Sequence, residues 1–222
     1  MALSRPQAIL FDLDGTLADT APDLAAAVNK LRIARGLPAA PYADLRPVAS
    51  AGARGLIGAA FGLTAEDDGY ADLRDEFLKN YEASIAVHSK LFDGITELLQ
   101  FLEDQNIRWG IVTNKVAQLT DQLVPKIGLG HAACSISGDT TPHPKPHPAP
   151  LLEAAKRIGV APQACWYVGD DLRDIQAGQA AEMPTIAAEW GYCGTPAHQW
   201  QADALASSPQ HLAQLIATAL KN

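Results

Sequence analysis

The sequence predicts an α/β fold, in which a parallel β-sheet is flanked by helices and an all-α domain is inserted after the first strand. Two observations support this prediction. Short apolar runs alternate with helix-like stretches along most of the chain. One interval, 18–87, interrupts that alternation and holds only helix-like patterns.

Five apolar runs have the length and composition of strands that are buried on both faces. They are bounded by Gly, Asp, Asn or Pro, and they occupy 8–11, 109–112, 134–136, 165–168 and 184–187. Helix-like stretches lie between them at 95–105, 115–127, 148–158 and 172–180. Such alternation is typical of a Rossmann-like parallel sheet core with helices on its faces.

The interval 18–87 contains apolar side chains at helical spacing in 21–34, 52–61 and 66–87, and no run typical of a strand. It is too long for the single helix that usually joins two parallel strands. We therefore expect a discontinuous α/β core, residues 1–17 and 88–222, and an inserted helical cap domain, residues 18–87. A last helix is expected at 209–220.

Composition narrows the functional classes. The 222 residues carry a formal net charge of -8, which argues against nucleic acid or an anionic membrane surface as a partner. No apolar stretch approaches the roughly 20 residues of a membrane span, and the first one is too short for a signal peptide. The three cysteines, Cys134, Cys165 and Cys193, are widely spaced, so we expect free thiols and a cytoplasmic location.

The strongest chemical signal is the pair Asp12 and Asp14, which follows the first predicted strand. Side chains two apart in a strand point to the same side, so the two carboxylates should converge at the carboxyl end of the sheet. Gly15 permits a sharp turn after them. Because like charges repel, we expect a cation between them. A calcium loop or a plain turn is the alternative for the motif taken alone.

Two further motifs are suited to binding an anion. Thr113 and Asn114 end the next strand, where a hydroxyl and backbone N–H groups can bind a phosphoryl oxygen, although Thr-Asn also commonly caps a helix. Lys145 lies in a proline-rich loop that restricts its backbone. Its alternative is a solvated surface lysine, and His143 and His147 beside it are interpreted as loop residues.

A third acidic group follows the strand 165–168. Asp170 is placed to meet a metal, and Asp174 lies one helical turn later. Asp171 has a simpler interpretation, because acidic residues in the first turn stabilise a helix.

These motifs, in this order, resemble those of the haloacid dehalogenase superfamily of phosphohydrolases, and the resemblance covers nearly the whole chain. The chain looks like the phosphoglycolate phosphatase group, which carries a helical cap after the first strand. Some stretches look closer to N-acetylmuramic acid 6-phosphate phosphatases of peptidoglycan recycling, namely Gly52-Ala53-Arg54, 88–94 and 169–174. Many relatives have Ser or Thr at the position of Asp171, so the role of that residue stays open.

The resemblance implies a Mg²⁺-dependent phosphatase with an aspartyl-phosphate intermediate. Asp12 would be the nucleophile, and Asp14 would donate a proton to the leaving group and then accept one from water. Mg²⁺ would be held by Asp12, Asp170 and the backbone carbonyl of Asp14. Other implied residues bind the phosphoryl group or support the site: Thr113, Asn114 and Lys145 for the phosphoryl oxygens; Asp174 to orient Lys145 or a metal-bound water; Asp171 and Thr16 behind the ligands.

The substrate is expected to be a small phosphorylated metabolite that carries a carboxylate, either phosphoglycolate or N-acetylmuramic acid 6-phosphate. Gly52, Ala53 and Arg54 form the expected specificity loop of the cap, in which Arg54 binds the carboxylate. An exposed arginine at a helix start is the equal alternative. A monomer or weak homodimer is expected. The rival functions are a dehalogenase, a sugar phosphomutase and a non-catalytic phosphate-binding regulator.

Overall fold

The computed structural model describes residues 3–221. Over these residues the chain forms eight strands: β1 (Ala8–Phe11), β2 (Ala18–Asp19), β3 (Lys90–Leu91), β4 (Arg108–Val112), β5 (Ser135–Ile136), β6 (Cys165–Gly169), β7 (Thr185–Ala188) and β8 (Ala204–Ala206). Six of them form one parallel sheet in the order β5-β4-β1-β6-β7-β8, and β2 pairs with β3. The predicted α/β fold with a parallel sheet is therefore confirmed.

The α-helices of the described residues are α1 (Ala21–Ala34), α2 (Tyr42–Leu45), α3 (Gly52–Phe61), α4 (Tyr70–Glu82), α5 (Ile95–Asp104), α6 (Ala117–Lys126), α7 (Ala149–Ile158), α8 (Leu172–Ala180) and α9 (Pro209–Ala219). Short 3-10 helices add Arg46–Ala51, Pro162–Ala164 and Ala197–Gln199. Within the described part of the chain, none of the helices combines the length and apolar character that a membrane crossing requires.

Helices cover both faces of the sheet. Successive side chains of β1 point to opposite faces, so each set enters a different core. Ile9 and Phe11 belong to the core that α5, α6 and α9 cover. Ala8 and Leu10 belong to a second core, which α7 and α8 cover. This arrangement explains why the strands appear in the sequence as continuous apolar runs.

The chain between β2 and β3 forms α1 to α4 and the 3-10 helix Arg46–Ala51. Its core combines Leu24 and Val28 of α1 with Leu56 of α3 and Phe77 of α4, all buried. α1 and α3 have the bounds that the sequence predicts, whereas α4 is shorter than the predicted stretch 66–87.

Three short elements were not predicted from the sequence. β8 is three residues long, and β2 and β3 have two residues each, so none has a periodicity that could be recognised. The expectation of no strand in 18–87 is wrong at Ala18–Asp19, where Ala18 pairs with Leu91 and Asp19 with Lys90. This antiparallel pair ties together the two connections of the helical segment.

A buried carboxylate reinforces the same junction. Asp23 in the first turn of α1 is 3% exposed. Its side chain accepts backbone N–H groups of Val87 at 3.1 Å, His88 at 3.0 Å and Ser89 at 2.8 Å, and the Ser89 hydroxyl at 2.7 Å. One carboxylate thus fixes the chain where it leaves the helical segment.

We expect Asp23→Ala to lower the free energy of unfolding by about 2–4 kcal/mol, because it leaves backbone donors at residues 87–89 without their acceptor. Urea denaturation measures the change. Asp67→Ala is the matched control, since Asp67 also accepts a backbone N–H, from Thr64 at 2.7 Å, but is exposed. Equal destabilisation by the two substitutions would contradict the structural role of Asp23.

Candidate active site

The candidate site lies at the carboxyl edge of the sheet, beside its central strand. Asp12 directly follows β1, Asp170 follows β6 and Thr113 follows β4. β1 lies between β4 and β6, and the strand order reverses between β1 and β6. Ligands of open α/β sheets bind outside the strand ends at such a switch point. The fold therefore brings together side chains that lie more than 150 positions apart.

Three buried carboxylates form the centre of the site. Asp12, Asp170 and Asp174 each offer an oxygen, and these oxygens lie within 4.8 Å of one another. Burial raises the pKa of Asp12 above its usual value, although Lys145 opposes the shift. Burial, with the nearby charge of Asp174, raises the pKa of Asp170 to about 7. Within the protein the charges of Asp12 and Asp170 are compensated only in part, so a bound cation would stabilise their charged forms further.

The donor chemistry fits a hard divalent ion. Carboxylate oxygens are ligands that Mg²⁺ takes in proteins, usually one or two of them together with several waters. The cluster contains Asp174, which the sequence-based hypothesis placed behind the ligands. The side chain of Asp14 is not part of the cluster. This does not conflict with the metal-binding role expected for Asp14, which uses its backbone carbonyl and not its side chain.

Three hydrogen bonds to its carboxylate fix Asp170. Its Oδ1 accepts the Thr16 hydroxyl at 2.9 Å. Its Oδ2 accepts the backbone N–H of Tyr192 at 2.9 Å and the Ser50 hydroxyl at 3.2 Å. Gly15 has a φ of +93°, and a Cβ there would lie 2.2 Å from Asp170 Oδ2. Glycine at this position is therefore required both by the backbone conformation and by the carboxylate.

Lys145 is buried among oxygen atoms and is not a solvated loop residue. Its Nζ lies 2.7 Å from Asp12 Oδ1 and 2.7 Å from Asp174 Oδ1. It also donates to the Tyr167 hydroxyl at 2.8 Å and to the Val112 carbonyl at 2.9 Å. Burial alone would lower the pKa of Lys145, but the two carboxylates outweigh it and raise the pKa. The ammonium therefore stays charged beside Asp12.

Asn114 fixes the backbone of that lysine. Its side-chain amide donates to the Lys145 carbonyl at 2.9 Å and accepts the Lys145 N–H at 2.9 Å. The sequence-based hypothesis concerned the backbone of Asn114, so this role of the side chain is an addition. Thr113 is 2% exposed, and its hydroxyl accepts the backbone N–H of Lys115 at 3.1 Å.

Asp14 contacts residues that the sequence analysis did not single out. Lys115 Nζ lies 3.0 Å from Asp14 Oδ1, and the Thr20 hydroxyl donates to the same oxygen. Burial opposes the charge of Lys115, but Asp14 and Tyr81 raise its pKa above the usual value. A lysine directly after Thr113-Asn114, at a strand end, was the only signal for this contact in the sequence.

Asp171 has the contacts of a helix cap. Its Oδ1 accepts the backbone N–H of Arg173 at 2.9 Å, and Asp174 completes a capping box with it. Burial would raise the pKa of Asp171, but hydrogen bonds from Arg173 lower it. The simpler interpretation of Asp171 accounts for these contacts. Arg173 also donates to the Ser50 carbonyl at 2.9 Å, which links the core to the helical segment.

A cavity of about 320 Å³ opens beside Asp12 and Asp14, between the strand ends and the helical segment. Its lining includes apolar side chains of Leu24, Phe77, Leu78, Tyr81 and Leu119. Gly52, Ala53 and Arg54 also line it, and they form the first turn of α3 where the sequence predicted a loop. The Arg54 side chain is 72% exposed, and it lies 3.7 Å from Glu66. It therefore borders the cavity without a fixed partner inside it.

Known proteins share this architecture. A crystal structure described as a predicted phosphoglycolate phosphatase from Haemophilus somnus matches with a TM-score of 0.84 and 26% identity, over 96% of this chain and 99% of that chain. A phosphoglycolate phosphatase of Xanthomonas campestris is 50% identical over 212 residues, which cover 93% of this chain and 95% of that protein. An N-acetylmuramic acid 6-phosphate phosphatase of Pseudomonas putida is 42% identical over 219 residues, 97% of this chain and 98% of that protein.

The family model described as haloacid dehalogenase-like hydrolase matches residues 9–188, a span that runs from β1 to β7 and includes every carboxylate of the site. The resemblance inferred from the ordered motifs is thereby confirmed. The chain belongs to the family of haloacid dehalogenase-like hydrolases.

Proposed function

We propose that this protein is a phosphoric monoester hydrolase that transfers the phosphoryl group of its substrate to Asp12 and then to water. The observation that carries the proposal is the pairing of Asp12 with Lys145 at 2.7 Å, in a buried acidic site at the switch point of the sheet. The names of the relatives support the same reaction class.

Asp12 is the proposed nucleophile. An oxygen of its carboxylate attacks phosphorus, and the bond between phosphorus and the leaving oxygen breaks. Water then attacks the same phosphorus, which releases inorganic phosphate and restores the carboxylate. Lys145 holds Asp12 Oδ1 at 2.7 Å, so the direction of attack is limited before substrate arrives.

Asp14 is the proposed acid and base. It gives a proton to the leaving oxygen in the first step and takes one from the attacking water in the second. Thr113, the backbone N–H of Asn114 and Lys145 are proposed to bind the phosphoryl oxygens, where they would offset developing charge.

Asp12, Asp170 and the Asp14 carbonyl are the proposed ligands of Mg²⁺, with Asp174 next to them. When bound, the ion offsets the negative charge of the carboxylates and of the phosphoryl group. The raised pKa values of Asp12 and Asp170 support this proposal, since burial and the neighbouring carboxylates disfavour their charged forms, which a cation would stabilise.

Residues 18–87 are proposed to act as a cap domain over this site. Its contacts with the core support that role: Ser50 donates to Asp170, and Glu82 of α4 accepts from Gln118 of α6 at 2.8 Å. A cap in this position excludes water from the reaction and meets the part of the substrate beyond the phosphate.

The proposed substrate is a small phosphate monoester with a carboxylate. Phosphoglycolate and N-acetylmuramic acid 6-phosphate both satisfy that description. The cavity volume of about 320 Å³ and the apolar side chains in its lining favour the sugar acid, which carries methyl groups that such a wall can contact. Arg54 at the rim is the proposed partner of the carboxylate.

Asp12→Asn is expected to reduce turnover by at least about 10³-fold, because an amide of the same shape is a poor nucleophile. Release of inorganic phosphate measures turnover and also distinguishes a phosphatase from a phosphomutase. Asp121→Asn, an exposed change in α6, is the matched control and should retain activity. Turnover of Asp12→Asn within tenfold of the wild type would exclude Asp12 as the nucleophile.

Removal of divalent ions with EDTA is expected to abolish activity, and Mg²⁺ should restore it. Ca²⁺ is expected to inhibit, because its larger and more flexible coordination lets it bind Asp12 through both oxygens. Asp170→Asn should weaken Mg²⁺ binding, which isothermal titration calorimetry measures independently of turnover. Full activity of the metal-stripped protein would refute the proposed metal dependence.

Arg54→Ala is expected to lower kcat/KM for the carboxylate-bearing substrate by about 10- to 150-fold, since a charged hydrogen bond contributes roughly 1.5–3 kcal/mol. An aryl phosphate without a carboxylate should be spared. Arg35→Ala is the control, because Arg35 is a surface arginine of the same segment that pairs with Glu76 at 2.7 Å. Equal losses on both substrates would mean that Arg54 supports the fold or cap closure instead.

A further inference from the structure

Lys115 is a buried cation that has no role in the reaction proposed above. Its side chain is 6% exposed. The ammonium lies 3.0 Å from Asp14 Oδ1, 3.2 Å from the Tyr81 hydroxyl and 4.5 Å from the centre of the Tyr81 ring. A buried charge is stable only when such partners surround it, so the position of the ammonium is restricted to the space between Asp14 and Tyr81.

The contacts of Asp14 are unevenly divided between its two oxygens. Among residues 3–221, the ammonium of Lys115 and the hydroxyl of Thr20 both reach Oδ1, and no side-chain or backbone donor reaches Oδ2. Rotation of the carboxylate would break both contacts at once. Oδ1 is therefore anchored, and Oδ2 is left for proton exchange with a group in the cavity that Asp14 lines.

We propose that Lys115 is a positioning residue, which fixes the carboxylate of Asp14 so that its second oxygen faces the leaving group of the substrate. This inference rests on the proposed phosphatase function. Lys115 acts through Asp14 and not on the phosphoryl group, which distinguishes it from Lys145. The Lys145 ammonium lies 2.7 Å from Asp12, at the other carboxylate of the motif.

Tyr81 connects this positioning to the helical segment. It belongs to α4, whereas Lys115 follows β4 in the core. Tyr81 is 1% exposed, and its ring stacks on Phe77 with the planes 3° apart, so its hydroxyl has a defined place. When α4 lies against the core, the Tyr81 hydroxyl gives the Lys115 ammonium a second contact besides Asp14. The acid/base carboxylate is thus fully positioned only while the segment covers the site.

Dependence on the leaving group separates this role from a purely structural one. An alkyl phosphate releases a strongly basic alkoxide that needs a proton from Asp14, whereas nitrophenolate is a stable anion that leaves without one. Misplacement of Asp14 therefore slows hydrolysis of the alkyl phosphate more than hydrolysis of the aryl phosphate. The ratio kcat/KM reports the steps up to release of the leaving group, so later hydrolysis does not obscure the comparison.

The test compares Lys115→Met with the wild type on p-nitrophenyl phosphate and on whichever of phosphoglycolate and N-acetylmuramic acid 6-phosphate the wild type hydrolyses faster. We expect kcat/KM to fall roughly 10- to 100-fold for the alkyl phosphate and less than about threefold for the aryl phosphate. In the Asp14→Asn background the same substitution should cost less than about threefold on either substrate, because the group that it positions is already gone.

Two further variants make the result decisive. Gln118→Ala removes a different contact between the core and α4, the hydrogen bond from Gln118 to Glu82 at 2.8 Å, and leaves Asp14 untouched. It should change kcat/KM for both substrates by the same factor. Lys115→Arg keeps a cation of different shape, and should show the selective loss at smaller size even where Lys115→Met does not fold.

Equal losses on the two substrates in Lys115→Met and Lys115→Arg, or an undiminished loss in the Asp14→Asn background, would overturn the positioning role while leaving the phosphatase function in place. A wild-type protein that hydrolyses none of the three phosphates would overturn both proposals.

Discussion

The burial of several carboxylates at the ends of β1 and β6 is the constraint on which the rest of the site depends. Asp12, Asp14, Asp170 and Asp174 are at most 9% exposed, and like charges this close destabilise one another. The surrounding chain supplies three sets of compensating groups. Lys145 faces Asp12 and Asp174, a second lysine faces Asp14, and hydroxyl and backbone donors surround Asp170. The remaining negative charge makes the site suitable for a hard cation, and through it for a phosphate.

The compensating groups come from both parts of the chain. Ser50 and Thr20 belong to the inserted segment and its first connection, whereas Thr16 and Tyr192 belong to the core. Tyr192 extends this connection, since its hydroxyl accepts the backbone N–H of Thr20 at 2.8 Å. The electrostatics of the carboxylates therefore depend on contact between the segment and the sheet. Movement of the segment would alter the protein environment of Asp14 and Asp170 as well as access to the cavity.

The sequence was sufficient to predict the sheet, because strands buried on both faces appear as apolar runs. It also indicated that Asp12 and Asp170 lie near each other, because each directly follows one of the strands. It was sufficient to predict Lys145 only through its place among the other motifs. Partners such as Lys115 and Asp23 were not predictable, since each is a single residue whose contact lies far away along the chain or in another element. The role of Arg54 could not be predicted from the sequence, because an exposed side chain at the cavity rim has no buried partner whose pattern the sequence would reveal.

The antiparallel pairing of Ala18–Asp19 with Lys90–Leu91 has a consequence for how this protein can be re-engineered. The two connections are paired residue by residue. An insertion of one residue in only one of them would turn the side chains that follow to the opposite face of the pair. Chimaeras that exchange the helical segment with that of a relative should therefore cross over at both connections, with their lengths matched. Grafts made inside one connection would change the orientation of the transplanted segment relative to an otherwise intact sheet.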